Sequence, residues 1–187
     1  IVVPNAIESC GIRLEPEIVL WDQLIRFDPT FGWKPKANLN THCVSELGGE
    51  VFHVTTDSEG WPGASTIDES SITVFGDSFA FGYGVNAEAL FSEVNPKLRV
   101  KAIGAPGYNM VQEVMWMDRL SSHLQGKLAV WFIYVGNDLY ENLQPNMQDY
   151  RTPFVRRAGS TGEWQIVTSH LNSSRWWPYH VNDKLRS

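Results

Sequence analysis

Three short segments carry residue types suited to acyl transfer: Gly76-Asp77-Ser78-Phe79, Gly104-Ala105-Pro106-Gly107-Tyr108-Asn109 and Gly136-Asn137-Asp138. Ser78 supplies a hydroxyl that can attack a carbonyl. Gly107 supplies a backbone N–H with no side chain to block approach, and Asn137 supplies a neutral amide donor. Acyl transfer needs this combination, because the tetrahedral intermediate carries an oxyanion that must be hydrogen-bonded. Each segment also has a plain structural reading. Asp77 and Ser78 are residues that cap helices, Pro106-Gly107 is a turn dipeptide, and Asn137-Asp138 can cap the turn after them. The trio is made specific by its order and position.

Each segment directly follows a short apolar run. Residues 72–75 are β-branched and aromatic and stop at Gly76; residues 100–103 stop at Gly104. Residues 128–135 are almost continuously apolar and stop at Gly136, a pattern that predicts a strand buried on both faces. Between the runs, residues 110–124 place Val111, Val114, Met115, Met117 and Leu120 within helical reach of one another, and residues 87–94 suit a short helix. Strand and helix in short alternation predict an α/β fold with a parallel sheet. Ligands of such sheets bind beyond the carboxyl ends of the strands, so all three segments are expected on one edge.

The first block, Val74-Phe75-Gly76-Asp77-Ser78-Phe79-Ala80-Phe81-Gly82-Tyr83-Gly84, the second, Ala102-Ile103-Gly104-Ala105-Pro106-Gly107-Tyr108, and the third, Tyr134-Val135-Gly136-Asn137-Asp138, together resemble the SGNH (GDSL-type) hydrolase family. Residues 27–33 and 53–61 resemble the lead-in of some bacterial members, so the resemblance covers roughly residues 27–142. It implies a flavodoxin-like three-layer fold. It would make Ser78 the nucleophile and an oxyanion donor through its own N–H, Gly107 the second donor and Asn137 the third. One minor departure is Ala102, where the family commonly has Asn.

A larger departure is the absence of Asp-x-x-His, the family's base-bearing block near the C-terminus, anywhere in the chain. A serine without a base is a poor nucleophile at neutral pH. His42 and His53 precede the nucleophile, and His123 suits the end of the second helix. His170 and His180 are late enough to be considered as bases, though both are weak candidates. After residue 142 the pattern weakens to a hairpin, with 152–157 and 164–168 flanking Gly159-Ser160-Thr161-Gly162, and a helix over 169–177. The sheet is therefore expected to be incomplete at the C-terminus, as in a fragment, a short form or a non-catalytic relative. Its open edge would need a partner, for which a homo-oligomer is the candidate. Residues 1–70 read as an irregular, β-containing extension packed on an α/β domain over 71–187; within it, residues 27–33 suit a turn-rich loop.

The 187 residues, 43% hydrophobic and 19% charged, suit one globular domain. A formal net charge of −6 argues against a nucleic-acid partner. The longest apolar run, 128–135, is far short of the roughly 20 residues a membrane-spanning helix needs. No signal peptide is visible, and Ile1 in place of Met suggests trimming. Cys10 and Cys43 do not form a metal-binding pattern; they could be bridged or be buried thiols. The resemblance and the cysteine pair lean towards an exported or periplasmic bacterial protein. The expected function is a serine esterase acting on a small-molecule or carbohydrate ester, with no metal and no organic cofactor. The alternatives are a carbohydrate O-acyltransferase or deacetylase, and a non-catalytic binding module.

Overall fold

Asp28 shapes the first hairpin: its Oδ1 accepts the N–H groups of Thr30 (2.8 Å) and Phe31 (3.0 Å), closing the turn. The computed structural model describes residues 18–45, 48–63, 65–136, 138–147, 150–159 and 162–171. Its N-terminal part consists of β1 (Ile18–Val19), β2 (Ile25–Asp28), β3 (Gly32–Pro35), β4 (Asn40–Val44) and β5 (Val51–Thr55). β2 and β3 form the hairpin around the Asp28 turn, in place of a loop alone, and β1-β4-β5 form a second small sheet. Gly32 has φ +83°, and a Cβ there would meet the Arg151 carbonyl oxygen at 2.5 Å, so the hairpin presses directly on a later segment.

The three apolar runs form β6 (Ile72–Gly76), β7 (Val100–Gly104) and β8 (Leu128–Trp131). They make one parallel sheet of order β7-β6-β8, with Gly76 in register with Gly104 and Phe75 with Trp131. α1 (Ser78–Phe81) follows β6, α2 (Met110–Arg119) follows β7, and α3 (Asp138–Glu141) follows β8. Beyond lie β9 (Asn146–Met147), β10 (Tyr150–Arg151), β11 (Phe154–Arg157) and β12 (Trp164–Val167). The hairpin expected over 152–168 is present as the β11–β12 pair.

The expected flavodoxin-like three-layer α/β fold is not what forms. Most pairings belong to small, largely antiparallel sheets, and only β6, β7 and β8 make a parallel one. One face of that sheet, with Phe75 and Ile103, joins a core containing Trp116 of α2 and Phe31 and Trp33 of the hairpin. On the other face, Val74 and Val100 meet Ala80 of α1 and Phe91, with no helical layer over them among the described residues. The reason lies in the 82–99 connection. Gly82 and Gly84 have positive φ, and a Cβ on Gly82 would collide with Leu90 Cδ2. The rest of the connection holds only 3-10 turns, over Ala87–Ala89 and Pro96–Leu98. Such a segment cannot make the long crossover helix that a covered parallel sheet requires.

Two further expectations are corrected. β8 is an edge strand of four residues, and the 128–135 run is exposed rather than buried on both faces, Leu128 at 57% and Val135 at 78%, with Val130 alone in the run partly buried. Its sheet partner is β6, on one side only among the described residues. α2 ends at Arg119, and its buried residues are Val111, Gln112, Glu113 and Trp116, while Val114 is exposed.

The hairpin and the loop after β7 are clasped together. Trp33, fully buried, donates its indole N–H to the Pro106 carbonyl at 3.1 Å. Tyr108 donates its hydroxyl to the Trp33 carbonyl at 2.8 Å and accepts from the Trp116 indole at 3.2 Å. Phe31 stacks on Trp116 with ring centroids 3.9 Å apart. Tyr108→Phe leaves a carbonyl and an indole N–H buried without their partner. It should lower stability by about 1–3 kcal/mol, seen as a lower urea midpoint with an unchanged slope. An unaltered midpoint would show that the clasp contributes little.

Candidate active site

The parallel register brings the ends of β6 and β7 side by side at Gly76 and Gly104. The approach is close: a Cβ on Gly104 would lie 2.5 Å from the Gly76 carbonyl oxygen and 3.0 Å from that of Asp77. A Cβ on Gly76 would lie 3.1 Å from Cβ of Phe132, just past β8. The chain thus turns out of three adjacent strands at one edge, with Ser78 and Gly107 two and three residues beyond the paired glycines.

Ser78 is partly exposed and opens α1. Asp77 caps that turn by accepting the Phe79 N–H at 2.9 Å. Burial raises the Asp77 pKa above the usual carboxylate range, opposed by hydrogen bonding to its charged form, first from the Phe79 N–H. Gly107 sits in the loop held by Trp33, at φ +77°. The N–H groups of Ser78 and Gly107 have no acceptor among the described residues. Asn137 lies outside the described residues. On either side of that position, the Tyr134 N–H donates to Asp138 Oδ2 at 2.5 Å, and the Asp138 N–H donates to the Tyr134 carbonyl at 3.1 Å.

Among the described residues no histidine hydrogen-bonds Ser78. His53 contacts Glu88 and Asn40, and stacks on His42; His123 pairs with Asp68. His170 Nε2 lies 3.1 Å from the Pro145 carbonyl oxygen and 2.9 Å from that of Thr152, so this nitrogen is the donor and the ring ties residue 170 to the 145–152 segment. His180 and Cys10 lie outside the described residues, as does most of the helix expected over 169–177. Cys43 is buried, with its thiol 3.6 Å from the Val44 carbonyl oxygen.

Sequence reasoning missed the polar network that anchors this edge. Asn109 accepts the Gln112 N–H at the start of α2, and Gln112 Oε1 accepts the Asn109 N–H, both at 3.0 Å. Asn109 Nδ2 reaches the Pro153 carbonyl at 2.9 Å and Thr152 Oγ1 at 3.2 Å. Thr152 donates to Gln112 Oε1, and Gln112 Nε2 donates to the Phe31 carbonyl at 2.7 Å. The signal was present as Asn-x-x-Gln ahead of a helical pattern, a capping box.

Also missed was an acidic cluster beneath the site. Glu113, 1% exposed, accepts the Trp131 indole N–H on Oε2 at 2.5 Å, which ties α2 to β8. Glu113 Oε1 and Asp138 Oδ1 are buried without a partner among the described residues. Burial, then the nearby Asp138 and Asp77 charges, push Glu113 up to about 8, while burial raises Asp138. Glu113 is thus protonated at neutral pH. No group of three histidine, cysteine or carboxylate residues able to hold a metal ion occurs among the described residues, and no helix among them is long and apolar enough to cross a membrane.

Comparison with known proteins finds no matching family model, no matching curated protein and no matching solved structure.

The raised Glu113 pKa has a defined consequence for stability. The folded state holds a proton that the unfolded chain releases near its ordinary value of 4.5. Stability from this group is therefore present at low pH and lost as pH rises from about 4.5 through about 8, by at most about 1.4 kcal/mol per unit. Glu113→Gln should flatten that decline in urea unfolding measured from pH 5 to 9. The same slope in both proteins would place the titration elsewhere.

Proposed function

We propose that the chain is a serine ester hydrolase of SGNH type, acting through an acyl-enzyme on Ser78. The observation that carries this reading is the convergence of the β6 and β7 ends. It leaves a partly exposed hydroxyl at Ser78, and N–H groups on Ser78 and Gly107 with no acceptor among the described residues. Polar N–H groups held on a rigid edge and left unused suit a ligand oxygen.

In the proposed reaction Ser78 Oγ bonds to the ester carbonyl carbon while its proton passes to a base. The carbonyl oxygen becomes an oxyanion held by the Ser78 and Gly107 N–H groups, with Asn137 as the third donor. Collapse breaks the ester C–O bond, and the leaving alcohol takes the proton. Water then attacks the acyl-serine by the reverse sequence; a sugar hydroxyl in place of water would make the same site an acyltransferase. The Gly107 loop is suited to the task because Trp33 and Tyr108 hold it from the buried side, so its donors need little reorganisation as charge develops.

A second reading rests on the contacts of Ser78 itself. Among the described residues no histidine hydrogen-bonds its side chain. This favours a binding module that keeps the site without the chemistry.

Intact mass after incubation with a fluorophosphonate separates the two. The esterase reading expects one adduct on the native chain and none on Ser78→Ala. Absence of an adduct on folded protein would reject the esterase and leave the binding module.

A further inference from the structure

A second concave site lies away from the Ser78 edge. It is a cavity of about 550 Å³ between the β2–β3 hairpin, the 57–68 segment and the C-terminal end of α2. Asn109 caps the opposite end of that helix, on the side of the oxyanion loop. The volume is within the usual range for small-molecule pockets.

The charges in its wall are unevenly committed. Lys101 is satisfied: its ammonium lies 2.8 Å from Asp57 Oδ2 and donates to the Pro62 and Gly63 carbonyls. Asp28 is engaged by its turn and Asp68 by His123. Lys34 is different. Its side chain is 8% exposed, and its ammonium stands 5.3 Å from the Trp61 ring centre and 5.5 Å from that of Trp116. Its nearest carboxylate oxygen, on the exposed Glu59, is 3.9 Å away, beyond hydrogen-bonding distance. Its three N–H donors thus have no hydrogen-bond acceptor among the described residues.

Two more cations surround it. Arg26 is the register partner of Lys34 across the hairpin, so two like charges stand directly opposite on one face, an arrangement that costs stability. Arg119, also in the cavity wall, lies 5.7 Å from the ring centres of both Phe31 and Trp116, which orient its planar fork. The end of α2 accounts for a cation at Arg119. It does not account for a caged lysine facing an arginine.

We infer that this cavity binds a small organic anion, whose carboxylate or phosphate oxygens accept from Lys34 and from the Arg119 fork. Either oxyanion matches this pairing of a point donor with a planar one, and the cavity leaves room for the body of the molecule. The site is independent of the esterase reading.

The test uses the whole chain, titrated with citrate and, separately, inorganic phosphate, against sodium chloride at matched ionic strength. Calorimetry and the fluorescence of the tryptophans beside Lys34 give the readout. Saturable binding is expected, weakened at least tenfold in Lys34→Met and in Arg119→Gln. Tighter citrate binding would assign a carboxylate ligand, and tighter phosphate binding a phosphate. Should Lys34→Met misfold, Arg119→Gln on its exposed side chain decides alone. No saturable binding, an equal response to sodium chloride, or unweakened binding in the folded variants overturns the proposal.

Discussion

The clasp between Trp33 and the loop after β7 is the constraint on which the rest of the structure depends. Trp33 uses its indole N–H on Pro106 and its own carbonyl on Tyr108, while Tyr108 receives the indole of Trp116. Trp33 is thereby joined to Tyr108, 75 positions away in sequence, and through it to Trp116, within the buried core. The clasp holds the Gly107 turn from below, fixes the second half of α2 against the hairpin, and makes the N-terminal strands part of the same core as the parallel sheet. The N-terminal segment is accordingly part of the wall that sets the geometry of the candidate site.

The Asn109–Gln112–Thr152 network performs the same service at the other end of α2. It couples a helix start, the hairpin through the Phe31 carbonyl, and the segment after α3. Below it, Glu113 and Asp138 show the cost of burying carboxylates without a cation. Burial raises the pKa of both, and Glu113 is held as a neutral acid against the Trp131 indole. Opposite this tightly bonded interior, the edge at β8 carries exposed Leu128, Ile133 and Val135. Polar groups are thus enclosed on the α2 side while apolar ones stand outside along β8, because β8 is paired on one side only among the described residues.

Local signals in the chain were sufficient for several elements. The short β-branched runs ahead of Gly76 and Gly104 announced β6 and β7, and the Gly159–Gly162 turn announced the β11–β12 hairpin. Each rests on interactions between near neighbours or on a turn chemistry that few residues satisfy. The same signals failed for the 128–135 run. Continuous hydrophobicity reports an affinity for burial, and whether anything covers the strand is set by distant segments. They failed likewise for α2: Gln112 and Glu113 look like solvent-facing residues until the Phe31 carbonyl and the Trp131 indole are placed opposite them.

The sequence by itself therefore determined the parallel β6 and β7 strands, the glycine stops behind them, and the chemical types of Ser78 and Gly107 just beyond. Those depend on local pattern and on the register of adjacent strands. Tertiary structure alone decided that the β2–β3 hairpin, and no second helical layer among the described residues, accompanies this sheet. It also decided that Glu113 is buried and neutral, and that Lys34 is caged beside Arg26 and Arg119 in a cavity. The physical reason is common to all three: burial, dielectric environment and enclosure arise from segments distant in sequence, and no local pattern carries them.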